Sequence, residues 1–297
     1  MTKVIIITGL TGSGKSGLAV KIAREFNGEI ISADSVQIYR GLDIGSAKED
    51  KATMKEIPHH LIDIKDFNAT YNVGEFVSDV KTALEKVVSK GKLPIIVGGT
   101  GMYVKALMEG YSFGETSADG KFRLKYQKMA QEKGNIAVWE ELNKLNPERA
   151  KTVHYNNVKR VIRYLEIATN HQELTKTESI LKNYQVLNIG IVADRELIYG
   201  RINKRVEQML EMGLEKEIKT LISQGATREM QAFNSIGYKE WFDYFENKQT
   251  KEKTIELIKQ HTRNYCKRQL TFLKTINNIN LCTLTEAEEK IRRFLND

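Results

Sequence analysis

Apolar β-branched residues come in short unbroken runs over the first hundred positions. Val4-Ile5-Ile6-Ile7, Gly28–Ala33 and Leu93–Val97 each fit a strand buried within a sheet. Between them the apolar spacing turns helical. Leu18–Phe26 has this pattern. So does the stretch from Val73 to about Ser89, where Phe76, Val77, Val80, Leu84, Val87 and Val88 fall on one side and Gly91-Lys92 stops the run. Pro58–Asp63 is predicted to be a loop entering a short strand, and Met102–Glu109 a further helix. Ser35–Lys48 carries Gly41 and Gly45 and no period, which predicts a loop wrapped over a site.

From about 113 to 185 the strand-like runs disappear. Lys121–Lys133, Ala137–Leu145 and Val158–Thr169 are predicted as short helices. Leu187–Val192 returns to strand character. Helices follow at about 197–212, 215–223 and 238–245, with a long one at about 251–274, and Asn280–Thr283 suits a last short strand. The alternation predicts an α/β fold, a parallel sheet core with helices on both faces, and the G-x-x-x-x-G-K-S stretch at Gly9–Ser16 makes the expected core like that of P-loop NTPases. Residues 1–112 and 186–297 would form that core, and 113–185 a mostly helical insertion.

Gly9-Leu10-Thr11-Gly12-Ser13-Gly14-Lys15-Ser16 reads G-x-x-x-x-G-K-S, between a strand and a helix. The glycines let backbone N–H groups face a phosphate, and the helix N-terminus adds partial positive charge. Lys15 would reach outer phosphate oxygens, and the Ser16 hydroxyl would hold Mg²⁺.

Composition narrows the setting. The chain has 297 residues, 41% hydrophobic and 28% charged, as in ordinary globular proteins. No apolar run approaches the roughly 18 residues of a membrane span. The early core strand leaves no room for a signal peptide, so a cytoplasmic setting without membrane attachment is expected. Cys266 and Cys282 have no metal or redox spacing, and the five histidines none for a metal. His59-His60 is expected to be structural or substrate-lining. A net charge of +8 permits a polyanionic partner without requiring one.

The chemistry served by the loop is open at this level. A motor or signalling ATPase needs an acidic residue ending a later strand, whereas strand 93–97 runs into Gly98-Gly99-Thr100. Asp34 ends the second strand and would lie near the loop if the two strands are neighbours. It suits a general base acting on an acceptor nucleophile, or equally an aspartate capping its own turn. Both a small-molecule or nucleotide kinase and transfer of another group away from a diphosphate remain compatible. Thr100, flanked by glycines, could approach a ligand or merely close a tight turn. Three helices carry cationic edges, at Lys159, Arg160 and Arg163, at Arg201 and Arg205, and at Lys259, Arg263 and Lys267. Each alone fits a solvated face; together they favour a polyanion.

Taken together the motifs resemble the tRNA dimethylallyltransferase (tRNA isopentenyltransferase) family. The phosphate loop, Ser32–Lys48 with its Asp-Ser-x-Gln-x-Tyr-Arg-Gly-x-Asp-Ile-Gly run, Pro58–Asp63 and Val97–Tyr103 occur in that family's order. His154–Glu166, the Arg201–Arg205 helix, Ser235–Lys239 and Thr262–Gln269 are similar to it as well. The resemblance implies transfer from dimethylallyl diphosphate to the exocyclic amine of the adenine 3′ of the anticodon. It implies Asp34 as base, Thr100 against the adenine or donor, and Arg205 with the loop on the diphosphate. It also implies Asp34, Ser35, Val36, Gln37 and Thr100 around the base, and Arg123, Lys159, Arg160, Val161, Ile162 and Arg163 on the tRNA anticodon stem-loop. The adenine would leave its stack to react. A monomer is the expected working unit. Leu10 and Gly12 stand where the family commonly has Pro and Ala, and Tyr155 where proline is usual.

Overall fold

The computed structural model describes residues 1–110, 120–170 and 178–297. The chain forms two compact units, Met1–Gly110 with Glu178–Asp297, and Tyr111–Thr177. The boundary expected at 112/113 lies outside the described residues.

The first unit runs β1 (Lys3–Gly9), α1 (Lys15–Glu25), β2 (Gly28–Ser32), α2 (Lys51–Glu56), β3 (His59–His60), α3 (Val73–Ser89), β4 (Leu93–Gly98) and α4 (Gly101–Glu109). The second unit contains α5 (Gly120–Lys133), α6 (Asn135–Leu145), α7 (Pro147–Lys151) and α8 (Val158–Thr169). The first unit resumes with β5 (Gln185–Ile191), α9 (Arg195–Glu211), α10 (Leu214–Ser223), α11 (Trp241–Phe245), α12 (Lys251–Leu273), β6 (Asn280–Cys282) and α13 (Leu284–Asn296).

The six strands form one parallel sheet in the order β3-β2-β4-β1-β5-β6. β1 and β2 are therefore not neighbours: β4 lies between them, pairing Ile6 with Ile96 on one side and Ile31 with Ile96 on the other. Helices cover both faces. Val4, Ile6, Ile31 and Ile96 pack with residues of α3, α4, α9, α10 and α12. Ile5, Ile7, Ile30 and Ile95 pack with Leu18, Ala19 and Ile22 of α1 and with Ala287 and Ile291 of α13. Burial on both faces is why these strands read as continuous apolar runs. Among the described residues no helix is long and apolar enough to cross a membrane.

Where the strands end, β2 and β4 approach closely. A Cβ on Gly98 would stand 2.1 Å from Ala33 O, so only glycine lets the two carboxyl ends meet. Ala33 N donates to Val97 O at 2.7 Å, extending that contact past β2. Ligands of open parallel sheets bind beyond the carboxyl ends of the strands. The phosphate loop, Asp34 and Thr100 all leave the sheet at that edge.

The second unit has its own core of Tyr126, Val138, Leu142, Ala150, Val161, Ile162 and Leu165. Trp139 Nε1 donates to Ala150 O and Val153 O at 3.1 and 3.0 Å, tying α6 to α7 and to the turn after it.

Candidate active site

A cavity of about 390 Å³ opens at the carboxyl edge of the sheet. Thr11, Lys15 and Ser16 line one part of it and Arg205 adjoins them; Asp34, Gln37 and Thr100 also belong to its wall. A second cavity adjoins the phosphate loop, with Gly12, Gly14, Lys15, Ser16 and Arg205 among its lining residues. Lys15, Ser16 and Arg205 face both.

The loop geometry follows from its residues. Gly14 takes φ 90°, a left-handed conformation that suits glycine, and α1 begins after it. Leu10 is buried and anchors the loop in the core, with its N–H donating to Ile191 O at 3.2 Å. Ser13 is buried as well, with its N–H on Leu10 O at 3.1 Å. Gly9 passes so close to β5 that a Cβ would stand 2.5 Å from Ile191 O. Lys15 Nζ donates to Leu10 O at 3.3 Å, and Arg201 reaches Gly12 O at 3.4 Å.

Of the four Lys and Arg residues lining the cavity, Lys15 and Arg205 act on each other's charge, while Lys239 and Arg268 also belong to its wall. Loss of solvent pulls the Lys15 ammonium down to about 8, and the positive charge of Arg205 adds to this while Asp34 opposes it. Burial likewise lowers the Arg205 guanidinium from its ordinary value, offset by Asp34 and Glu49. Paired cations that resist their own charge favour an anionic ligand that neutralises both.

Thr100 meets Ser35, the neighbour of Asp34, across the β2–β4 junction. Asp34 Oδ1 accepts from Val36 N at 2.8 Å and Gln37 N at 3.3 Å, so the carboxylate does cap its own turn. A carboxylate has about four lone-pair sites, which leaves it room to take a proton as well. Thr100 Oγ1 accepts from Ser35 N at 3.1 Å and donates to Ser35 Oγ at 3.3 Å. The Gln37 amide accepts from Ser32 Oγ at 3.0 Å and donates to Ser46 O and Ala47 O at 3.3 and 3.2 Å.

The IPP transferase family model matches residues 37–276. The chain belongs to this family. A relative from Exiguobacterium sp., described as tRNA dimethylallyltransferase, is 44% identical over 92% of this chain and 88% of its own length. One from Bacillus cereus with the same description is 42% identical over 99% of this chain and 94% of its own. Among solved structures, the tRNA isopentenylpyrophosphate transferase of Bacillus halodurans aligns with a TM-score of 0.73 at 37% identity, covering 100% of this chain and 96% of that one. A eukaryotic dimethylallyltransferase described as acting on tRNA aligns with a TM-score of 0.74 at 29% identity, covering 96% of this chain and 75% of that one.

Other residues lining the cavity escaped the sequence patterns. Gln269 of α12 is buried, with Oε1 accepting from Thr11 N and Nε2 donating to Gly99 O, each at 2.9 Å. Tyr265 OH donates to Gly99 O at 3.3 Å. Both lie in Thr262–Gln269, whose likeness to the family was the sole signal for them. Glu49 lines both cavities. His59 lines the main cavity, whereas His60 Nε2 pairs with buried Glu29 at 2.7 Å. Both cysteines are free and buried.

The residues of the second unit divide by exposure. Val161 and Ile162 are 0% and 3% exposed within its core, so their side chains pack inward. Arg123 Nη2 and Arg163 Nη1 both bond Glu166 Oε2, at 2.8 and 2.7 Å, and Glu166 is buried. Lys159 and Arg160 are exposed, and the Arg160 guanidinium lies 5.7 Å from the Tyr164 ring centre. In the first unit Lys259 pairs with Glu207 and Arg263 with Asn203, while Lys267 is exposed.

Proposed function

We propose that this chain transfers a dimethylallyl group from dimethylallyl diphosphate to the exocyclic amine of the adenine 3′-adjacent to the anticodon of tRNA. The carrying observation is a single cavity in which Lys15, Ser16 and Arg205 share a wall with Asp34 and Thr100. The loop and the two cations would hold the diphosphate. The amine nitrogen attacks the allylic carbon, the carbon–oxygen bond breaks, and diphosphate leaves with the bonding pair. Asp34 takes the proton the nitrogen sheds. Negative charge on the leaving oxygen grows along this path, so cations fixed there in advance lower the barrier.

Asp34, Ser35, Val36, Gln37 and Thr100 would surround the extruded base. Lys159, Arg160, Arg163 and Arg123 would meet phosphates of the anticodon stem-loop. Val161 and Ile162 would serve that surface as the packing beneath it. Mg²⁺ suits the donor set: Ser16 offers a hard oxygen, and this ion commonly takes few protein ligands and completes its shell from substrate phosphates and water. When bound through Ser16 it would share the diphosphate charge. A single working chain and a cytoplasmic setting fit an enzyme whose acceptor is tRNA.

Incubation with tRNA and dimethylallyl diphosphate labelled in its allylic carbons tests the assignment. Label in an anticodon-loop nucleoside with the mass of dimethylallyl adenosine is the expected outcome. Transfer of label from the γ-phosphate of ATP to a product, with none from the allylic donor, would instead make the chain a kinase.

A further inference from the structure

The Glu217 carboxylate, on α10, accepts three successive backbone N–H groups of the loop over the cavity. Oε2 takes Asp43 N at 3.1 Å and Ile44 N at 2.7 Å, and Oε1 takes Gly45 N at 3.3 Å. Tyr238 OH donates to the same Oε1 at 2.8 Å. Tyr238 is fully buried, and its ring fills the space beside Gly45, where a Cβ would stand 2.5 Å from two ring carbons. Burial and the neighbouring carboxylate push the Tyr238 phenol up, so it remains a donor.

Four donors converge on two oxygens, which only a carboxylate supplies. An amide in its place would have one acceptor oxygen and would aim an NH₂ at groups that themselves donate. The clamped segment runs directly into Ser46 and Ala47, whose carbonyls both accept from Gln37 Nε2. With Ser32 Oγ on Gln37 Oε1, this arrangement sets which way the Gln37 amide points within the cavity wall.

We infer that Glu217 is a positioning residue for the acceptor base, acting through residues 43–47 on the side-chain amide of Gln37. Among the described residues the hydrogen bonds of Glu217 and of residues 43–47 lead to Gln37 and none leads to the diphosphate loop, which this segment meets only across the cavities that both line, so the main effect falls on acceptor recognition. The inference rests on the proposed role of Gln37 beside the acceptor adenine.

The test is a double-mutant cycle on the whole chain with Glu217→Gln, Gln37→Ala and the pair, measuring KM for tRNA and for dimethylallyl diphosphate separately. Glu217→Gln should raise the tRNA KM by about tenfold and leave the donor KM within about twofold. On the Gln37→Ala background its effect on the tRNA KM should shrink to below about twofold. A parallel rise in both KM values, no rise in the tRNA KM, or effects that multiply in the double variant would overturn the inference while leaving Gln37 at the acceptor. An unchanged tRNA KM in Gln37→Ala alone would remove Gln37 from the acceptor site, and the inference with it. Should Glu217→Gln fail to fold, Tyr238→Phe, which withdraws one of the four donors, runs the same cycle under the same criteria.

Discussion

Gln269 Oε1 accepts the backbone N–H of Thr11 at 2.9 Å. The same side chain donates to Gly99 O from Nε2, so one buried amide joins the phosphate loop to the end of β4 next to Thr100. Gln269→Glu separates the two bonds. The carboxylate keeps an acceptor for Thr11 and sets an oxygen against the Gly99 carbonyl, which costs that bond and repels what remains. The added negative charge also stands beside the anion-binding loop, so inorganic pyrophosphate affinity and turnover should both fall by about tenfold or more. Calorimetry with pyrophosphate beside steady-state rates checks this; wild-type values of both would mean the bridge from Thr11 to Gly99 carries no function.

Asp34 is both a cap and the proposed base, and one substitution distinguishes these. Asn at position 34 keeps an oxygen for Val36 N and Gln37 N, so the turn and the melting temperature should be retained. It cannot accept the amine proton as a carboxylate does. Turnover should fall by about 10²–10⁴-fold with tRNA affinity largely kept. Wild-type turnover in Asp34→Asn would reduce Asp34 to its capping role.

Much of the sheet was legible because its strands are buried on both faces and bounded by glycine or proline, as at Leu93–Gly98. Helix α8 follows its apolar spacing to the residue, Val158–Thr169. The order of strands was not legible in the same way. Asp34 was expected near the loop on condition that β1 and β2 were neighbours. It lines the same cavity although β4 intervenes, because Gly98 lets the β2 and β4 ends close together. Helix α13 had a readable start, the Thr283–Glu286 capping box, yet it follows a strand too short to announce a further layer. Glu217, and Gln269 apart from its place in the family-like Thr262–Gln269 stretch, were not legible for a physical reason. Their partners lie 172 and 258 residues away in sequence, and no local period encodes an encounter at that range.

The proposed function sets the exposed pair Lys159 and Arg160 against tRNA through charge. Alanine at both should lower the slope of log affinity against log salt by about one to two units and weaken all tRNAs alike. Val161→Ala should act differently, by loosening the core of the second unit: about 2 kcal/mol of stability lost and little change in the salt slope. Filter binding across a salt series, with thermal melts, separates the two. A salt slope unmoved by Lys159→Ala with Arg160→Ala would take this face of α8 off the nucleic acid.

Lys15 makes the site pH-dependent in two opposite ways. With its ammonium at about 8 in the folded enzyme and near 10.5 in the unfolded chain, the folded state releases this proton first as pH rises. Between those values the unfolded chain binds more protons, so this residue raises stability with increasing pH. Below about 8 the protein instead carries the full penalty of holding that charge beside Arg205. Lys15→Met should therefore be more stable than wild type at pH 7, by roughly 1–3 kcal/mol, with the difference fading towards pH 10. Donor use runs the other way. kcat/KM for dimethylallyl diphosphate reports the free enzyme, and it should fall as pH rises through about 8, where the ammonium is lost. Melting curves of both proteins from pH 7 to 10, with the pH profile of wild-type kcat/KM, test the two effects on one group. A Lys15→Met variant no more stable than wild type at pH 7, with a flat donor profile across pH 8, would mean the ammonium is not strained by its surroundings.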